Sequence, residues 1–140
     1  GSQARQSFRL FPALSGLGWA LAALTLSLGA FLGRYRRNAK KMLADSKAEI
    51  YAARCMVLDA ARQRDDGHNV STEASCAKMF ATEMCSRVAD RGVQIHGGAG
   101  YISDYAVERF YRDVRLFRLY EGTTQIEQVN ISRNMIRNAQ

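Results

Sequence analysis

The chain begins with a long stretch lacking charge and then settles into helical periodicity that lasts to its end. From Leu10 to Gly33 no residue is charged, and Arg34, Arg36, Arg37, Lys40 and Lys41 follow at once. A run of about 20 apolar residues is long enough to span a bilayer. The basic flank fits the positive-inside pattern, and Gly29-x-x-x-Gly33 has a spacing used by paired membrane helices. A helix apolar on every side is equally a core or interface helix, buried all round. Ser15, Gly16, Gly18 and Thr25 dilute the run, and glycine starts either kind of helix poorly. Core helix, membrane segment and foreign sequence stand side by side as readings. The organisation expected is an irregular lead over 1–9, an apolar helix over 10–33 and a helical domain over 34–140.

From Ala39 to Asp66 the pattern turns amphipathic. Leu43, Ser46, Ile50, Ala53, Val57 and Ala60 recur at three- and four-residue spacing, which predicts one buried face. Gly67 is placed to stop that helix. Ser71 or Thr72 is positioned to cap the next, with Glu73 in its first turn. Ala77, Phe80, Ala81, Met84 and Val88 form its expected stripe. A glycine loop follows over Gly97 to Gly100, and a short helix is predicted from Asp104, as cap, to Tyr111. The last helix is expected to start at Thr123 or Thr124 and to bury Ile126, Val129 and Ile136. No stretch alternates with period two, so the fold class predicted is all-α, an up-down bundle of about four main helices.

Charge and composition narrow the function classes. The 140 residues carry a formal charge of +7, yet no zinc-finger spacing or aromatic strand pattern accompanies it, so a nucleic-acid partner is not expected. Cys55, Cys76 and Cys85 form neither a disulfide framework nor a metal-ligand set. They read as buried, reduced thiols of a reducing compartment, cytoplasm or mitochondrial matrix. Gly1-Ser2 reads as a cloning remnant.

Two segments hold candidate chemistry. The first is Gln94-Ile95-His96-Gly97-Gly98-Ala99-Gly100-Tyr101. It follows a helix, not a strand, so it is not a dinucleotide fingerprint. Its glycines expose bare backbone beside Gln94, whose amide both donates and accepts; the plain alternative is a helix-terminating loop. His96 alone reads as a loop or packing residue. The second segment is Tyr120-Glu121-Gly122-Thr123-Thr124-Gln125-Ile126. Glu121 precedes a helix start, where a carboxylate is stabilised by the dipole. It is either that alone or a general base on a glycine hinge, with Tyr120 limiting water.

These segments occur in order with Leu43-Ala44-Asp45, Ala52-Ala53-Arg54, Val107-Glu108-Arg109 and Tyr111-Arg112-Asp113. From about Met42 to Asn138 the chain resembles the C-terminal helical domain of the acyl-CoA dehydrogenases, FAD-dependent oxidoreductases that convert acyl-CoA thioesters to enoyl-CoA. The resemblance implies that Glu121 is the base removing the α-proton and that Gly122 passes close to the substrate thioester. It places Thr123, Thr124 and Gln125 along the flavin nucleotide at a helix N-terminus. It also implies that Gln94, Ile95, His96, Gly97 and Gly98 form a segment touching the FAD of a neighbouring subunit. A homo-oligomer, dimer or tetramer, and a role in fatty acid metabolism follow from the same resemblance.

The family places a helical domain and a β-domain ahead of this region, so residues 42–138 alone are not expected to turn over substrate. Its Arg-x-x-Phe-Gly element is matched by Arg5 and Phe8, but Arg9 stands in place of the glycine. The next stretch reads as a diverged first helix, a fused segment or the product of a shifted reading frame. The competing function class is a non-catalytic helical interaction module, attached to a membrane through residues 10–33 in one variant.

Overall fold

The computed structural model describes the backbone of residues 3–139 and the side chains of residues 23–139. Four helices, α1 (Gln3–Asp65), α2 (Ser71–His96), α3 (Ala106–Arg115) and α4 (Thr124–Asn138), follow one another with 3₁₀ turns over Gly97–Tyr101 and Leu116–Arg118. Among the described residues there is no strand, and the all-α class holds. Where the pattern predicts an irregular lead and separate helices over 10–33 and 39–66, the backbone is assigned as the one helix α1.

Two compact units divide the chain, residues 1–40 and 41–140. In the first, the side chains of Leu24, Leu28, Phe31, Leu32 and Tyr35 are exposed. The side chains of residues 10–22, and with them half of the uncharged run, lie outside the described ones, as does the Arg5 to Arg9 element. Among the described residues no helix is long and apolar enough to cross a membrane.

The second unit holds both candidate segments. The part of α1 within it ends as the glycine signal predicts: Gly67 adopts φ 86°, its N–H donates to Arg64 O, and His68 N–H donates to Gln63 O. This pair of bonds is a Schellman motif. The next cap differs from expectation. Val70, not Ser71 or Thr72, occupies the cap position of α2, and Asn69 Oδ1 accepts from Ser71 N instead.

The buried face of α1 is also shifted from the one predicted. Within the second unit Met42, Ser46, Glu49, Ala52, Ala53, Met56, Ala60 and Gln63 are the buried or half-buried positions of α1, whereas Leu43, Ile50 and Val57 are exposed. The predicted stripe mixed two adjacent faces. The seam that is buried mixes small and polar residues with Met42 and Met56, and Glu49 on it accepts from both Arg87 and Arg91 of α2. On α2 the expected stripe holds, with Ala77 and Met84 buried and Phe80, Ala81 and Val88 half-buried.

α4 turns most of its apolar residues outward, half-buried Ile131 excepted. Ile126, Val129 and Ile136, predicted as core, are about half or more exposed, while Glu127 and Asn134 are buried. Position explains this: the face toward the rest of the unit carries positions 127, 130, 131 and 134, and Asn134 Nδ2 donates to Ser71 Oγ at the head of α2. The short helix likewise starts later than predicted, at Ala106 with Tyr105 as cap residue. Cys55 is exposed rather than buried, while Cys76 and Cys85 are half-buried and all three are free.

Candidate functional site

Glu121 sits on a strained turn. Its φ is 55° and that of Gly122 is 100°, so two consecutive residues are left-handed. Glycine tolerates this freely, but for glutamate it costs on the order of 1 kcal/mol. Among the described residues Glu121 is the only non-glycine with positive φ. A residue held this way needs surroundings that over-determine it.

Those surroundings come from α2 and α4. Lys78 Nζ donates to the carbonyl oxygen of Gly122. Glu83 Oε1 accepts from Arg118 Nε at 2.8 Å and from Thr124 Oγ1 at 2.7 Å. The loop is therefore tied to α2 on both sides of Glu121. Thr123 caps α4, its hydroxyl accepting from Ile126 N at 3.3 Å. Below the turn lies buried Glu127, whose carboxylate fills the place where a side chain on Gly122 would project. Burial works against charge at Glu83, but the hydrogen bonds from Thr124 and Arg118 and the charges of Arg118 and Arg87 outweigh it. They hold its carboxyl below the ordinary value.

None of these anchors engages the carboxylate of Glu121, which is exposed and makes no hydrogen bond among the described residues. Tyr120 beside it is about half exposed and meets Phe117 edge-on, ring centroids 6.0 Å apart. Lys78, Glu83, Arg118 and Glu127 escaped sequence reasoning. Their one signal was charge placed beside apolar stripes, at Lys78 next to Ala77 and at Glu127 next to Ile126.

The glycine segment closes the far end of α2. Gly97, at φ 60°, ends the helix and donates its N–H to Gln94 O. His96 Nδ1 lies 2.8 Å from Gly92 O, a contact within the last turn. Gln94, His96, Gly97 and Gly98 are exposed and Ile95 is half-buried. A Cβ at Gly97 or Gly98 would meet nothing within 4 Å, so their backbone faces open space. Gly100 has a different reason to be glycine. A Cβ there would lie 2.6 Å from Val93 O and 2.9 Å from His96 Cβ, so it serves packing.

The two segments do not meet within one chain. The Glu121 loop is fastened at Lys78 and Glu83. At 1.5 Å of rise per residue, Gln94 lies about 24 Å along α2 from Lys78 and about 16 Å from Glu83. Of the two segments, only Gly100 and Tyr101 line a hollow between α2 and α3, and Glu121 lines neither hollow.

The chain is similar to known proteins. The family described as acyl-CoA dehydrogenase, C-terminal domain, matches residues 17–136, reaching further upstream than the motif blocks do. The caffeyl-CoA reductase-Etf complex subunit CarC of Acetobacterium woodii is 48% identical over 91 residues, covering 65% of this chain and 24% of its own length. The 3-(aryl)acrylate reductase of Clostridium sporogenes is 43% identical over 95 residues, covering 68% and 25%. The structure of butyryl-CoA dehydrogenase from Megasphaera elsdenii aligns with a TM-score of 0.65 at 36% identity, covering 68% of this chain and 25% of that one. The chain thus spans about a quarter of the length of the relatives it matches.

Proposed function

Because the chain belongs to the acyl-CoA dehydrogenase family, as its C-terminal domain, we propose that it supplies the catalytic base and one wall of a shared flavin site for oxidation–reduction of acyl-CoA thioesters. The observation carrying this reading is the turn at Glu121: left-handed, tied down by Lys78 and Glu83, with its own carboxylate left unpartnered among the described residues. Strain of this kind clusters at functional positions.

FAD fits the residues present as a wall, not as an enclosure. Gly97 and Gly98 offer open backbone, Gln94 and Gln125 are exposed amides, and Ile95 and His96 flank the glycines. Thr123 uses its hydroxyl as an acceptor and keeps its O–H, while Thr124 donates its O–H to Glu83 and keeps its lone pairs. When bound, FAD accepts the hydride equivalent that leaves the substrate β-carbon. Gly122 is assigned to pass close to the thioester on the side of the turn away from Glu127, whose carboxylate takes its side-chain direction. Glu121 takes the α-proton, and in the reverse direction returns it. Substrate covering the turn would expel water and raise the basicity of that carboxylate.

The separation along α2 supports sharing. The Gln94 to Gly98 segment and the Thr123 to Gln125 segment are too far apart to lie against the same part of one cofactor, so each is assigned to a different FAD in a homo-oligomer. Reductases stand beside dehydrogenases among the relatives' names, which suits a carboxylate working in either direction. A flavin fluorescence titration tests the proposal. Saturable quenching by the chain, weakened by Gly97→Val, is expected. A flat titration at high protein concentration would remove the cofactor role and leave a helical interaction module.

A further inference from the structure

Between α2 and α3 the second unit forms a hollow of about 590 Å³ whose walls carry Arg87, Arg91, Arg112, Arg115 and Arg118 against one carboxylate, Asp90. We propose that this hollow binds the phosphate group of a phosphorylated small molecule. The proposal is independent of any role for Glu121.

Carboxylates behind the walls fix the guanidinium groups. Glu49 holds Arg91 at 2.9 and 3.1 Å, Glu108 holds Arg112 at 2.9 and 3.0 Å, and Glu83 holds Arg118 at 2.8 Å. Each guanidinium has five N–H donors, so one or two bonds to a carboxylate orient the fork and leave donors over. Two arginines are less committed. Arg87 reaches Glu49 only at 3.3–3.4 Å and lies over the Phe80 ring at 5.9 Å. Arg115 has no acidic partner among the described residues.

The local charge is close to balanced, so attraction at long range is weak and recognition falls to hydrogen bonds. Spare donors on two facing helices suit an anion with several terminal oxygens, a tetrahedral phosphate, better than a planar carboxylate with two. The hollow is much larger than a phosphate. It adjoins a second of about 610 Å³ that shares Asp90, Tyr111 and Arg112 and adds Val93 and Tyr101, which gives the remainder of the molecule an aromatic wall.

The test is a residue-resolved NMR titration of the full chain with inorganic pyrophosphate and with orthophosphate, ionic strength held constant with chloride. Expected are saturable shifts at residues 86–91 and 111–118, with affinity falling roughly tenfold in Arg115→Ala. Arg109→Ala, which lies outside the hollow, should bind as the parent does. Arg115→Lys should recover part of the loss, which separates donor chemistry from damage to the fold. Shifts that do not saturate, or that are equal in the Arg115→Ala and Arg109→Ala chains, would overturn the proposal.

Discussion

The side-chain ammonium of Lys78, in the second turn of α2, donates to the carbonyl of Gly122, forty-four residues away in sequence. This one bond fixes the peptide next to Glu121 from outside the loop. Replacing Lys78 with Met removes the donor and keeps most of the stem. The expected cost is about 1–2 kcal/mol in denaturant unfolding. Amide exchange should speed up at Gly122, Thr123 and Thr124 while α2 stays protected. Unchanged loop protection would show that the bond does not hold the turn.

Glu121 and Gly122 respond in opposite ways to substitution. Glu121→Gly relieves a left-handed glutamate and should leave stability unchanged or raised, within about 0.5–1 kcal/mol. Gly122→Ala puts a Cβ into an unfavourable φ and against the Glu127 carboxylate, with an expected loss of about 1–3 kcal/mol. Thermal unfolding of the two variants checks the pair. A marked loss in Glu121→Gly would mean the carboxylate supports the fold rather than awaiting a ligand.

Acid should weaken the second unit through Glu49 and Glu83. Hydrogen bonding from Arg91 chiefly, against the pull of burial, holds Glu49 below its ordinary value, and Glu83 is likewise lowered. Unfolded glutamates titrate at about 4.3, so just below that the unfolded chain binds more protons than the folded one. The stabilisation is complete above that range and is lost as pH falls through the folded-state values. Urea unfolding at neutral and acid pH should show this decline, shallower in Glu83→Gln. Stability that is flat down to strongly acid pH would contradict it.

Gly100 is a packing glycine in a segment whose other glycines face solvent. Gly100→Ala must push against Val93 O and should cost about 1–3 kcal/mol. Gly98→Ala, with open space around it, should cost well under 1 kcal/mol. Equal losses in the two variants would refute the distinction.

Much of this architecture was legible in the residues. Gly67 announced the end of α1, and Thr123-Thr124 the start of α4, because left-handed glycine and threonine at a helix start act locally. The two chemical segments were legible for the same reason, as short ordered motifs. What was hidden depends on packing across the chain. Leu43, Ile50 and Val57 share a period with Ser46, Ala53 and Ala60, so spacing alone could not tell which of two neighbouring faces is buried. On α4, Ile126, Val129 and Ile136 read as core, yet hydrogen bonding at Asn134 and the seat of Glu127 under Gly122 decide which side turns inward. The anchors Lys78 and Glu83 look like ordinary helix charges until the loop is laid against them.

The central proposal is that the chain carries two separate flavin-contacting surfaces, one at the C-terminal end of α2 and one on the Glu121 loop fastened to the first half of that helix at Lys78 and Glu83. The most direct measurement is an NMR titration of the full chain with FAD, followed residue by residue. The account predicts two distinct groups of perturbed amides, Gln94 to Gly98 and Thr123 to Gln125, with little change in the stretch of α2 between Glu83 and Gln94. Absence of perturbation at both groups, or shifts confined to other surfaces, would contradict it.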